Sequence, residues 1–334
     1  MANDSIILLG PRSNNRHREL CTERVISNSD LEAMVDTNHE WIVQRTGIVE
    51  RRAAAEHEFT SDLCFGAVRD MLTRYPVTIE DVDYIIVATT TPDTITPAVA
   101  SRVQAEFNIA SSGAVDLQAA CAGFVAALQM ASGLLASGIC RKILVIGAET
   151  LTKVTDYTDR TTCILFGDGA GAVLVEADQS DSFLASYSHT EGKLGHNVYS
   201  SHLSNHIGGI PVDRKGKLVQ NGREVYKWAV TRVTAGVEKL LEQQNLTTQD
   251  INWFIPHSAN LRIIEAICER TGISMDQTLY SMVYYGNTSA ATIPLALDLG
   301  IKTGKVQQDQ LLLLYGFGGG LTQAALLLKW TLAS

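Results

Sequence analysis

KILVIG, at Lys142–Gly147, is an apolar run of strand length closed by a glycine, and LLLLYG, at Leu311–Gly316, repeats the pattern 169 residues later. The same offset relates TIEDVDYIIV (Thr78–Val87) to TTQDINWFIP (Thr247–Pro256), with Asp81 standing where Asp250 stands. Two anchors sharing one offset describe a chain written twice. Other apolar runs, Val82–Thr90, Arg141–Glu149, Ala170–Glu176, Ile251–Pro256 and Leu311–Gly316, alternate with helical patterns over Thr60–Tyr75, Gly123–Ala136 and Ala259–Thr271. Strands alternating with helices predict α/β units and a largely parallel sheet. The expected division is residues 1–177 and 178–334, with a seam near 178–200, where ADQSDSFLASYSHTEGKLGHN reads as a connector.

Composition narrows the class. The 334 residues are 46% hydrophobic and 19% charged, which fits a globular chain and excludes a disordered one. A net charge of −9 argues against nucleic acid as a partner, and an acidic protein partner would need a local basic patch. No run approaches the roughly 18 apolar residues of a membrane span. The start, MANDSIILLGPRSNNRHREL, has too short an apolar stretch and too little basic charge for a signal peptide, so a cytoplasmic protein is expected. Six cysteines, at 21, 64, 121, 140, 163 and 268, show no metal-site spacing and read as reduced thiols. His202 and His206 stand four apart among Ser, Asn and Gly with no third ligand in view, so no metal is expected.

Between the anchors lie AACAGFVAAL in the first half and YGNTSAATIPLAL in the second. Alone, Cys121 reads as a small apolar filler, His257 as an ordinary histidine after a strand, and Asn287 as a turn residue. The duplication changes their weight. Ligands of α/β sheets collect beyond the carboxyl ends of strands, and two halves bring such ends to one cleft. Cys121 is expected at a helix N-terminus, where free N–H groups and the dipole favour a thiolate and lower its pKa.

Six motifs then stand in one order: DTNHEWIVQRTGIVERR (Asp36–Arg52), AACAGF (Ala119–Phe124), DRTTCILFGDGAGAVLVE (Asp159–Glu176), IPHSANLRI, YYGNTSAATIPLALD and GFGGGLT (Gly316–Thr322). In these the chain resembles the β-ketoacyl-acyl carrier protein synthase III family of the thiolase superfamily over nearly its whole length. The resemblance implies a five-layered αβαβα thiolase-like fold, a homodimer and a Cys121–His257–Asn287 triad. It implies a two-stage Claisen condensation: Cys121 takes the acyl group of an acyl-CoA, then malonyl-acyl carrier protein loses CO2 and attacks it. Oxyanion donors would be the N–H groups of Cys121 and Gly319, and His257 and Asn287 would offer N–H donors to the enolate. Thr37, Trp41, Arg45 and Arg160 match CoA-binding positions. Lys227, Ser258 and Arg262 match positions that meet the carrier protein, with Arg223 near them. Ser258 replaces a Gln common in the family. Thr96 replaces a Phe that closes the partner subunit's acyl pocket, and a smaller residue there predicts longer or branched primers. No bound cofactor is implied, CoA being a substrate. The open alternative is a starter-unit condensing enzyme or acyltransferase of secondary metabolism. A thiolase proper would need a second Cys near the C-terminal glycines, and a hydroxymethylglutaryl-CoA synthase a Glu acting with Cys121; no motif supplies either.

Overall fold

The computed structural model describes residues 4–7, 22, 24–177, 182–213 and 216–332. Cys21 and part of the expected connector, residues 178–181, lie outside them. Two sheets carry the fold. The first is built from β1 (Asp4–Ile7), β2 (Tyr84–Ala88), β3 (Gly113–Leu117), β4 (Lys142–Thr150) and β5 (Asp168–Ala177), in the order β1-β5-β4-β2-β3. The second holds β6 (Phe183–Thr190), β7 (Trp253–Pro256), β8 (Leu311–Gly318) and β9 (Thr322–Lys329), in the order β6-β9-β8-β7. Pairing matches strand for strand. β4 runs parallel to β2 and antiparallel to β5, which is antiparallel to β1. β8 runs parallel to β7 and antiparallel to β9, which is antiparallel to β6. Among the described residues of the two sheets, β3, parallel to β2, has no counterpart strand.

Two expectations are corrected. The sheets are mixed rather than largely parallel, because each half returns across its centre by an antiparallel strand (β5, β9) without a helical crossover. The expected connector is also partly strand: Phe183–Thr190 pairs with β9 along its length.

Helices fill three layers. α2 (Thr60–Arg74) and α3 (Val99–Glu106) cover the outer face of the first sheet, after a short α1 (His39–Thr46). α4 (Gly123–Ala136) packs against both sheets. α5 (Gly222–Gln243) lies on the outer face of the second sheet and packs on α6 (Leu261–Thr271). α7 (Thr292–Lys302) joins α4 in the centre, meeting β5, β7 and β8. The order is αβαβα, five layers, as expected. The central helices are apolar on most of their surface because both flanks are covered: Phe124, Leu128 and Leu135 of α4 and Ile293 and Ala296 of α7 are all fully buried.

The anchor glycines show why the repeat is strict. A Cβ on Gly147, in β4, would fall 2.4 Å from the carbonyl oxygen of Ala290; one on Gly316, in β8, would fall 2.7 Å from Ala122 Cα and 3.1 Å from Cys121 O. Each sheet thus receives, at the same repeat position, the tight turn that opens the other half's central helix. Those turns are Ala120–Ala122 before α4 and Ser289–Ala291 before α7. Ala120 and Ser289 open them with φ of +47° and +48°, a left-handed conformation that L residues seldom adopt. Replacing Gly147 by Ala therefore overpacks backbone on backbone and should lower unfolding free energy by about 1–3 kcal/mol in urea titrations. Gly133→Ala, on an exposed face of α4 with open space around it, should instead be neutral or up to about 1 kcal/mol stabilising.

Candidate active site

The turn Ala120–Ala122 follows β3 and precedes α4, and it delivers Cys121 to a cavity of about 1160 Å³. His257 reaches the same cavity from the end of β7, and Asn287 from the loop between Met282–Tyr285 and Ser289–Ala291. Gly318 and Gly319, at the end of β8, form the wall beside the sulfur. A Cβ on Gly318 would meet Cys121 Sγ at 2.9 Å and Cys121 Cβ at 2.8 Å, so only glycine leaves room for the sulfur there.

Each polar side chain is fixed by hydrogen bonds from behind. Asn287 accepts from the Ser289 N–H at Oδ1 (2.9 Å), which assigns the amide orientation and turns Nδ2 away from that bond. Its own N–H donates to Leu165 O (2.8 Å), and its carbonyl accepts from Gly167 N (3.1 Å). His257 donates its backbone N–H to Tyr315 O (2.8 Å). Its Nδ1 lies 2.8 Å from Thr292 Oγ1, and Phe317 packs edge-on against its ring with centroids 5.2 Å apart. His257 is 2% exposed and Asn287 4%.

Burial, not the helix terminus, sets the charges. The N–H groups of Cys121 and Gly319 and the Ser289 hydroxyl bond the sulfur and favour a thiolate, but loss of water outweighs them, and the thiol is pushed up to about 12. The expected lowering is thereby corrected. Cys121 stands in a 3-10 turn ahead of α4, and its residual exposure opens onto the cavity. Burial pulls His257 down to about 3, so its imidazole is neutral across the physiological range. Glu149, fully buried at the end of β4, also raises the thiol. Its carboxylate accepts from the hydroxyls of Thr89 (3.3 Å), Thr90 (3.0 Å) and Thr91 (2.6 Å), the Thr90 N–H (3.1 Å) and the Ser289 side chain. Sequence reading found no Glu near Cys121. Its one signal was a charged residue closing an otherwise apolar strand, KILVIGAET.

On the cavity lining Trp41 has two guanidinium groups near its ring, Arg160 at 4.9 Å and Arg45 at 5.8 Å from the centroid. Arg160 donates to Asp36 O (2.8 Å). Arg262, at the start of α6, lines the rim and donates Nε–H to Gln44 O (2.8 Å). Cys121, His257, Asn287, Gly319, Trp41, Arg45, Arg160 and Arg262 therefore share one cavity.

Other expected residues stand apart from it. Thr37 is half-buried, its Oγ1 has no hydrogen-bond partner, and it does not line the cavity. Lys227 is exposed on α5 and pairs with Glu224 at 2.9 Å; Arg223 is exposed beside it. Thr96 is exposed and lies outside the chain's own cavity. Ser258 is corrected: it is fully buried, and its hydroxyl accepts the Ser281 N–H at 3.0 Å, so a protein partner does not reach it. Among the described residues no group of three or more His, Cys, Asp and Glu is placed to hold a metal ion, and His206 lies in a two-residue strand, not a helix.

Comparison with known proteins gives a consistent picture. Residues 115–192 match the family model "3-Oxoacyl-[acyl-carrier-protein (ACP)] synthase III", and residues 241–330 match that for its C-terminal region. The chain is 58% identical to β-ketoacyl-[acyl-carrier-protein] synthase III 2 of Halalkalibacterium halodurans, covering 92% of this chain and 93% of that protein. It is 56% identical to the protein of that name from Bacillus subtilis, covering 92% and 95%. A solved β-ketoacyl-[acyl carrier protein] synthase III from Thermus thermophilus superposes with a TM-score of 0.91 at 42% identity, covering 97% and 98%.

Two measurements check the site. Alkylation of the free protein by iodoacetamide, followed at Cys121 by mass spectrometry, should keep rising through pH 9–10 with no inflection near 7. A thiol raised to about 12 is ionised to only about one part in 10⁴ at pH 8. Gly318→Ala should cut acylation of Cys121 by at least about 100-fold while leaving the fold intact by circular dichroism, because the added methyl occupies the sulfur's place.

Proposed function

The chain belongs to the 3-oxoacyl-(acyl carrier protein) synthase III family, and we propose that Cys121, His257 and Asn287 carry out its condensation in the cavity described above. It is an acyltransferase-type condensing enzyme of fatty acid synthesis. The observation that carries the assignment of residues is that a cysteine, a neutral histidine and an oriented carboxamide converge on one cavity with an indole and two guanidinium groups close to it on its lining.

An acyl-CoA enters with its adenine against Trp41, flanked by Arg45 and Arg160, since guanidinium planes stack on aromatics and hold phosphate. Thr37 is assigned a contact to the base by the resemblance alone. The acyl carbonyl sits beside the N–H groups of Cys121 and Gly319, which bond the sulfur in the free protein and turn to the tetrahedral oxyanion as it forms. Sγ attacks, CoA leaves, and the acyl group stays on Cys121. Malonyl-acyl carrier protein then docks against Arg262, with Lys227 and Arg223 on the neighbouring helix supplying further positive charge to an acidic partner. Loss of CO2 leaves an enolate, and the Asn287 Nδ2–H group, which holds its proton at any working pH, donates to its oxygen. The carbanion attacks the Cys121 thioester and releases the β-ketoacyl product. CoA and the carrier protein are substrates, and we read the enzyme as working without a bound cofactor, as a cytoplasmic homodimer of two duplicated halves per chain, 1–177 and 178–334.

Primer range follows from Thr96. Its exposure in the single chain fits a residue that closes the pocket of a partner subunit, and a Thr leaves volume that a Phe would fill. Intact-mass spectrometry with acetyl-, isobutyryl- and octanoyl-CoA, then malonyl-acyl carrier protein, tests both parts of the reading. Adducts on Cys121 with the branched or longer primer, discharged with CO2 release, are expected, and Thr96→Phe should suppress the longer one. A strict acetyl preference would overturn the primer assignment. An adduct that malonyl-acyl carrier protein cannot discharge would point to acyl transfer in secondary metabolism.

A further inference from the structure

A buried imidazole that stays neutral carries one proton on one of two nitrogens, and its hydrogen-bond partner decides which. The partner of His257 is Thr292, the first residue of α7, itself fully buried. Thr292 Oγ1 lies 2.8 Å from His257 Nδ1 and 2.9 Å from the carbonyl oxygen of Ser289. A carbonyl only accepts, so the Thr292 proton must lie on the Ser289 side for that contact to be a bond; two oxygens at 2.9 Å with no hydrogen between them repel. The hydroxyl then turns a lone pair to the ring, and Nδ1 must supply the hydrogen. Both short contacts are attractive in this arrangement alone. The threonine is also held from behind: its carbonyl accepts from Ser281 Oγ (3.0 Å), and the Ser281 N–H donates to Ser258 Oγ (3.0 Å), next to His257 in the chain.

We propose that Thr292 is a positioning residue that fixes His257 as the Nδ1–H tautomer, so that the bare Nε2 is the nitrogen left to take the thiol proton of Cys121. This rests on the reading of Cys121 as nucleophile. As the Sγ–C bond forms, the sulfur's proton passes to Nε2; when the C–S bond to CoA breaks, that proton passes to the departing CoA sulfur and the ring is neutral again. The thiol, too high in pKa to ionise by itself, thereby gains an acceptor within the site. In this reading His257 serves the loading stage as acceptor.

The test uses ¹⁵N-histidine-labelled full-length protein, with His257 assigned by the resonances lost in His257→Asn. Long-range ¹H–¹⁵N spectra at neutral pH should show a protonated Nδ1 and a bare Nε2. Thr292→Val should shift the ring toward Nε2–H or a mixture and slow single-turnover acyl loading by about 10- to 100-fold. Thr292→Ser, which keeps the hydroxyl, should retain the tautomer and recover most of the loading rate. Nε2–H in the parent protein would overturn the proposal, as would unchanged loading and tautomer in Thr292→Val. If the valine variant does not fold, the parent's tautomer and the serine variant decide. Failure of the parent to load any acyl-CoA would instead overturn the reading of Cys121 and leave the tautomer a separate result.

Discussion

The structure depends on two glycines at equivalent places in the repeat. Gly147 and Gly316 carry no side chain because each abuts the backbone of the turn that opens the other half's central helix. The close approach locks the two sheets and the two central helices into one body. It also brings Ala120–Ala122 and Ser289–Ala291 into the middle of the molecule, each with a left-handed residue at its start. Such backbone conformations persist where the surroundings over-determine them. Here the surroundings are the opposite half's strand, so the position of Cys121 is set by packing between halves more than by its own helix.

The duplication is symmetric in backbone and asymmetric in chemistry. At the repeat position of Cys121 the second half has Ala290, and at that of Ala120 it has Ser289. The second half contributes through residues around that turn: Asn287 before it, Ser289 within it and Thr292 after it. One half thus places a cysteine and the other a set of polar side chains in a single cavity.

Loss of water governs the electrostatics of that cavity. It raises the thiol, lowers the imidazole and raises the Glu149 carboxyl, which among the described residues bonds to hydroxyls and an N–H and to no cation. Stable charges are therefore costly near the reacting atoms, and the site works with neutral groups whose orientation is fixed in advance. At the mouth the balance reverses: Arg45, Arg160 and Arg262 remain accessible to an anionic substrate and an acidic carrier.

By itself the sequence determined the repeat, the α/β class and the candidate trio Cys121, His257 and Asn287, while the layer order came from the family resemblance. A fixed offset between apolar runs survives any detail of packing, and Cys121, His257 and Asn287 fall at strand and helix ends where such folds collect ligands. α4 begins and ends at the residues the periodicity marked, Gly123 and Ala136. The antiparallel returns and strand β6 escaped notice because a polar, half-exposed strand such as Phe183–Thr190 pairs through its backbone, which leaves little trace in residue type. Only the tertiary structure decided the charges and the supports. The pKa of Cys121 follows from how much water the far half excludes, Ser258 is turned inward by a bond to Ser281, and Thr292 reaches His257 across 35 positions of chain. These effects arise from groups distant in sequence and close in space, and the physics that sets them, desolvation and hydrogen-bond direction, acts only once both halves are packed.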